Sequence, residues 1–133
     1  MSEKECVKVE EIMSTPPISV GINATVLEVA RLMKVYGIGS VIIVDENDRP
    51  IAIFTEKELV WSIATFGCEA LDKKAYDHSV RTVPVVRKDS CIEEAVKEMD
   101  AHGLRHAAVV DEYGRLVGVV SMRDIAKAIA CPR

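Results

Sequence analysis

The sequence predicts an α/β fold built from two pseudo-symmetric motifs, each a small three-stranded sheet packed with two helices. Three observations predict it. Residue i matches residue i + 66 without a gap from about Ala24 to Leu59. Each copy joins a helical apolar stripe to short apolar runs of strand length. Apolar residues make up 49% of the chain and aromatics only 5%, and this Val-, Ile-, Ala- and Leu-rich mix suits buried strands packed on amphipathic helices.

The elements follow in order. Pro17–Val20 and Val83–Val86 are extended pieces, held out of helix by proline. Val26, Val29, Ala30 and Met33 match Ile92, Ala95, Val96 and Met99, and their i, i+3, i+4, i+7 spacing puts one stripe of a helix on the core. Gly37 and Gly103 stand where a helix ends in a left-handed residue. Val41–Val44 and Ala107–Val110 read as buried strands. The turns Asp45-Glu46-Asn47-Asp48 and Asp111-Glu112-Tyr113-Gly114 lead to Ile51–Phe54 and Val117–Val120, so each copy contains an antiparallel hairpin. Thr55-Glu56-Lys57-Glu58 and Ser121-Met122-Arg123-Asp124 then open a second helix. The order is strand–helix–strand–strand–helix, with a first motif over 7–66, a connection over 67–79 and a second motif over 80–131. The connection is polar and weakly periodic. Neither sheet covers both faces with its own helices, so the halves are expected to pack together about an approximate two-fold axis, 24–59 superposing on 90–125.

Bulk properties exclude several classes. The net charge of −4, with both signs mixed, argues against a dedicated nucleic-acid surface. Met1–Glu5 is polar and lacks a signal core, and the apolar runs are too short to cross a bilayer, so cytoplasmic residence without membrane attachment is the expectation. Cys6, Cys68, Cys91 and Cys131 are scattered and are expected as reduced thiols, a disulfide or a weak metal site being the alternatives. His102 and His106 have helical metal-pair spacing, but Gly103 should end the helix between them, so no metal is expected. No GxSxG, HExxH, P-loop or GxGxxG occurs, and the adjacent Asp77, His78 and Ser79 need not face one another as a triad requires, so the chain does not read as an enzyme.

With the unit assembled, the chain from about Val9 to Ile129 resembles a tandem CBS-domain pair, or Bateman module. Three elements carry the resemblance: Glu11-Ile12-Met13-Ser14-Thr15-Pro16-Pro17, the Gly-x-x-x-(apolar)-x-Val-Val-Asp strand, and the Gly-Val-Val-Ser-x-x-Asp turn into the last helix. The resemblance implies a regulatory module that binds an adenosine-containing ligand (AMP, ADP, ATP or S-adenosylmethionine) in the cleft between the motifs, with no other cofactor. It implies that Asp124 accepts both ribose hydroxyls, as an acceptor-only carboxylate can, while Ser121 reaches phosphate or ribose. Ser-x-x-Asp equally suits helix capping. Arg105, His106 and Arg123 match places where basic side chains meet phosphates in similar proteins, and Thr82, Val83 and Pro84 match a wall of the adenine pocket. Copy one departs from the pattern. Its weaker site would comprise Pro17, Ile18, Ser40, Thr55, Lys57 and Glu58, with glutamate in place of aspartate and no arginine to grip phosphate by two bonds. The resemblance further implies a homodimer through Leu59–Ala64 and Ile125–Ile129, centred on Trp61, and an effector protein acting in trans. A ligand-free scaffold and a nucleic-acid binder are the rival readings.

Overall fold

The computed structural model describes residues 5–130, and Cys131 lies outside them. Both copies adopt the expected strand–helix–strand–strand–helix order. Copy one comprises β1 (Ser19–Val20), α1 (Val26–Tyr36), β2 (Ser40–Val44), β3 (Pro50–Thr55) and α2 (Glu56–Phe66). Copy two comprises β4 (Val85–Arg87), α3 (Ile92–His102), β5 (His106–Val110), β6 (Leu116–Ser121) and α4 (Met122–Ala130). The sheets are ordered β1-β2-β3 and β4-β5-β6. In each, the first strand runs parallel to the second through a helical crossover, and the second and third form the hairpin. Register repeats with the sequence offset: Ser19 faces Ile42 as Val85 faces Ala108, and Ser40 faces Thr55 as His106 faces Ser121. Even the register shift recurs, between Ile43 and Val44 and between Val109 and Val110.

Local chemistry explains the boundaries. Thr25 accepts the Glu28 amide at 3.1 Å and donates its own amide to Glu28 Oε1 at 2.8 Å, a capping box that starts α1. Gly37 (φ +63°) and Gly103 (φ +65°) end α1 and α3 in the left-handed region. In the second hairpin, Asp111 Oδ1 accepts the amides of Tyr113 and Arg115 at 2.8 and 3.0 Å. The Arg115 amide is the main cause holding the Asp111 carboxyl below the usual carboxylate range, against some desolvation.

The chain forms two compact units, and their composition departs from the boundaries that the repeat suggests. Ile18–Val83 forms one unit, whereas residues up to Pro17 join Pro84 onward in the other. The reason is main-chain pairing. Val9 donates its amide to Ser90 O (2.8 Å), Ile92 to Val7 O (2.9 Å) and Glu10 to Lys88 O (3.0 Å), while Ser14 and Val119 exchange amide bonds of 2.8 and 3.1 Å. Thr15 Oγ1 donates to the Val117 carbonyl at 3.2 Å. The equivalent bonds appear in the other unit, where Val80 and Ile53 exchange two 2.9 Å bonds, Val26 donates to Lys73 O and Ala75 to Ala24 O. Each segment that precedes one copy therefore lies along the last strand of the other. The connection over 67–79 is correspondingly ordered, as 3-10 turns at Gly67–Asp72 and Ala75–His78 with Ala70 and Ala75 buried.

Each unit has its own core. In one, Val26, Val29 and Met33 of α1 pack with Val41, Ile43, Ala52, Phe54 and Ala75. In the other, Ile92, Ala95 and Met99 of α3 pack with Val9, Val86, Ala107, Val109, Val120 and Ile125. Each fully buried large apolar side chain contributes about 1.5–3 kcal/mol. Val9 and Ala75 occupy matching places, which makes the exchanged segments part of the cores.

The cysteine expectation needs correction, because Cys6 and Cys91 are joined in a disulfide with Cα atoms 5.7 Å apart. The paired Lys8 and Cys91 backbones bring the two side chains within bonding reach. Cys68 is a free, exposed thiol.

Gly118 marks the closest approach of an exchanged segment. A Cβ built there overlaps Met13 Sδ and lies 3.1 Å from the Ser14 carbonyl oxygen, whereas the equivalent Ala52 fits its own sheet fully buried. Gly118→Ala is expected to lower stability by about 1 kcal/mol through overpacking. A urea midpoint equal to that of the wild type would show that Met13 swings aside without cost.

Candidate ligand site

The second copy's corner is built by the end of β6 and the start of α4. Ser121 Oγ accepts the Asp124 amide at 3.1 Å, and the Ser121 amide donates to Asp124 Oδ2 at 2.8 Å. The capping role is thus real, and it also orients the carboxylate, with Oδ1 outside the box. Antiparallel register puts His106 opposite Ser121, and the Met122 amide donates to the Arg105 carbonyl at 2.9 Å. Arg105, His106, Ser121, Arg123 and Asp124 therefore lie at one end of the sheet. Arg105 and Arg123 are exposed, and His106 and Asp124 half-buried. Pro84 is buried at the same end, one strand over, where its carbonyl accepts the Ala108 amide at 2.8 Å. Thr82 is exposed and Val83 half-buried, both within the other unit.

The first copy repeats the backbone with different chemistry. Ser40 faces Thr55, and the Glu56 amide donates to Gly39 O at 3.1 Å. Thr55 accepts the Lys57 amide at 3.2 Å, donates its own amide to Glu58 Oε1 at 3.0 Å, and bonds the same oxygen through its hydroxyl. Where copy two carries Arg105, the Glu56 side chain lies over Gly39, 3.4 Å from a Cβ placed there. The first corner thus carries Glu56, Lys57 and Glu58, and the second Arg105, His106, Arg123 and Asp124. The two corners differ in the charged side chains they place at matching positions.

The structure adds residues that the sequence reading missed. Beside the first corner lies an open cleft of about 250 Å³ lined by Lys57, Glu58, Trp61, His78, Ser79 and Val80. His78 is held edge-on against Phe66, ring centres 5.3 Å apart, with Lys73 Nζ over the other ring at 4.6 Å. The cleft is smaller than the roughly 300 Å³ at which small-molecule sites begin. Pro17 and Ile18, assigned to the first site from the sequence, do not line this cleft; Ile18 leads into β1, one strand over from the hairpin's outer strand, as Pro84 leads into β4. The segment along β3 is that of Val80. Likewise, the segment along β6 beside Ser121 is Met13–Thr15. The offset pairs Ser14 with Val80, a signal legible in the sequence, but it does not tell which sheet each segment joins. Among the described residues, no group of three or more His, Cys, Asp or Glu is placed to hold a metal ion, and no helix is long and apolar enough to cross a membrane.

Comparisons with known proteins bear on the same elements. The family model of the CBS domain matches twice, at residues 9–65 and 77–131. An uncharacterised protein of Methanopyrus kandleri is 39% identical over 119 residues, 90% of this chain and 61% of that protein, so the chain spans about three fifths of this relative. Among solved structures, the CBS domain pair of protein MJ0100, in complex with 5'-methylthioadenosine and S-adenosyl-L-methionine, superposes with a TM-score of 0.85 at 25% identity, covering 97% of this chain and all of that one. A CBS domain protein of Pyrobaculum aerophilum complexed with AMP gives 0.81 at 28% identity, covering 89% of each chain.

Proposed function

Because the chain belongs to the CBS-domain family, with one domain in each copy of its repeat, we propose that it is a regulatory module sensing an adenosine-containing nucleotide beside the turn of its second copy. The observation that carries this reading is the difference between the two corners. In the second, a carboxylate already oriented by the Ser121 amide lies at the same end of the sheet as Arg105, His106 and Arg123. A ribose diol would use the acceptor capacity of Asp124, and phosphate would meet the guanidinium groups and the amide-rich start of α4. Pro84 and the Met13–Thr15 segment supply nearby wall for the base. That two similar proteins hold AMP or S-adenosylmethionine with 5'-methylthioadenosine supports the ligand class. The module regulates an effector protein in trans and does not itself catalyse. Its place is the cytoplasm.

Calorimetric titration with AMP, ADP, ATP and S-adenosylmethionine tests this reading, which expects one dominant site per chain. No binding of any of them would favour the scaffold reading. Salt-dependent oligonucleotide binding in their place would favour nucleic acid.

We also propose a homodimer through α2 and α4. Val60 is 67% exposed, Trp61 60% and Ile129 66%, so these side chains do not serve the cores of their own units. Light scattering is expected to give a dimer mass for the wild type and a monomer mass for Trp61→Glu. A monomeric wild type at micromolar concentration counts against the interface.

A further inference from the structure

We propose that the Cys6–Cys91 disulfide is a redox latch on the second copy's ligand corner, so that reduction loosens the segment along β6 and lowers nucleotide affinity at Ser121 and Asp124. The affinity half rests on the function proposed above; the latch itself does not.

Comparison of the two copies isolates what the disulfide adds. Thr25 and Lys74 form a backbone bridge in one unit, and Cys91 and Lys8 form its equivalent in the other. In copy one, Thr25 caps α1 by its side chain. In copy two, Cys91 stands at the helix start without a side-chain cap, its sulfur bonded to Cys6. A capping residue has thus been exchanged for a covalent tie to a segment 85 residues away. From that tie the segment runs through buried Val9 to Met13–Thr15 along β6, two residues short of Ser121. With the sulfurs joined, the Val9, Glu10 and Ile92 hydrogen bonds and the Ser14–Val119 pair form around a fixed anchor.

Both cysteines are half-buried, which leaves them open to a small dithiol. The step is thiol–disulfide exchange. A thiolate of the dithiol attacks one sulfur of the bridge, its second thiol resolves the mixed disulfide, and two electrons and two protons pass to Cys6 and Cys91 as the reagent closes its own disulfide. Reduction leaves the hydrogen bonds in place but makes the docked segment one of several states, and affinity falls with the docked fraction. Linkage requires the reverse as well: bound nucleotide must make the disulfide harder to reduce by the same factor.

The test compares oxidised wild type, wild type reduced with dithiothreitol, and Cys91→Thr, which removes the bridge while restoring the capping residue found at Thr25. Hydrogen exchange reads the latch, and AMP calorimetry reads the coupling. The expected result for both forms without the disulfide is amide exchange about tenfold faster at Val9 and Ser14, and AMP binding weaker by about threefold or more. Equal exchange rates in all three forms overturn the latch. Faster exchange with equal AMP affinities overturns the control of binding. If no form binds AMP, the nucleotide reading fails, and the exchange rates alone decide the latch.

Discussion

Asp124→Ala is expected to weaken adenosine nucleotide binding by about ten- to hundredfold, because charge-assisted hydrogen bonds worth roughly 1.5–3 kcal/mol are lost. Glu58→Ala is expected to change affinity far less. Its carboxylate is taken up by the amide and hydroxyl of Thr55, and Glu56 lies over Gly39, the position matching Arg105. Calorimetry on the two variants measures the contrast. The capping box complicates Asp124, since truncation also removes the acceptor for the Ser121 amide and costs about 1 kcal/mol of stability. Asp124→Asn separates the effects: it keeps a carbonyl oxygen for the cap but loses the charge, so it should fold like the wild type and still bind poorly. Equal losses for Asp124→Ala and Glu58→Ala would refute the asymmetric sites.

Reducing the disulfide is expected to lower global stability by about 2–4 kcal/mol. Cys6 and Cys91 close a loop that contains the whole of the Ile18–Val83 unit. A loop of that length restricts the unfolded chain strongly, and the effect acts there rather than through any contact in the folded state. The melting temperature should fall by about 8–15 °C. Cys91→Thr should recover about 1 kcal/mol of this by capping α3. Urea denaturation with and without dithiothreitol measures the difference, and coincident curves would show that the bridge does not constrain the unfolded chain.

Most of the fold was legible because it is local. The stripe Val26, Val29, Met33 and its counterpart Ile92, Ala95, Met99 are the residues that the two helices bury. Gly37 and Gly103 take the left-handed conformation their places imply. Ser121 and Asp124 were legible as a pair, and the structure shows them capping α4. What the sequence hid is long-range. Ser14 and Val80 dock by main-chain bonds, which any residue except proline can make, so no side-chain pattern marks their partners. Cys6 and Cys91 share no motif, and only the bridge at Lys8 brings them together. Trp61 and His78 line a cleft from a helix and a 3-10 turn that the repeat alone does not connect.

The exchange of segments 9–17 and 75–83 has a genetic consequence. Two duplicated genes' worth of sequence normally drift apart block by block, each block altering its own product. Here a change near Met13, which lies upstream of copy one, is felt at the corner of copy two, and a change near Val80 at the corner of copy one. Each corner therefore carries its own copy's polar residues but is bordered by a strip of chain from outside that copy. Neither copy can be transplanted into another protein as one continuous stretch without leaving behind the strip that completes its sheet.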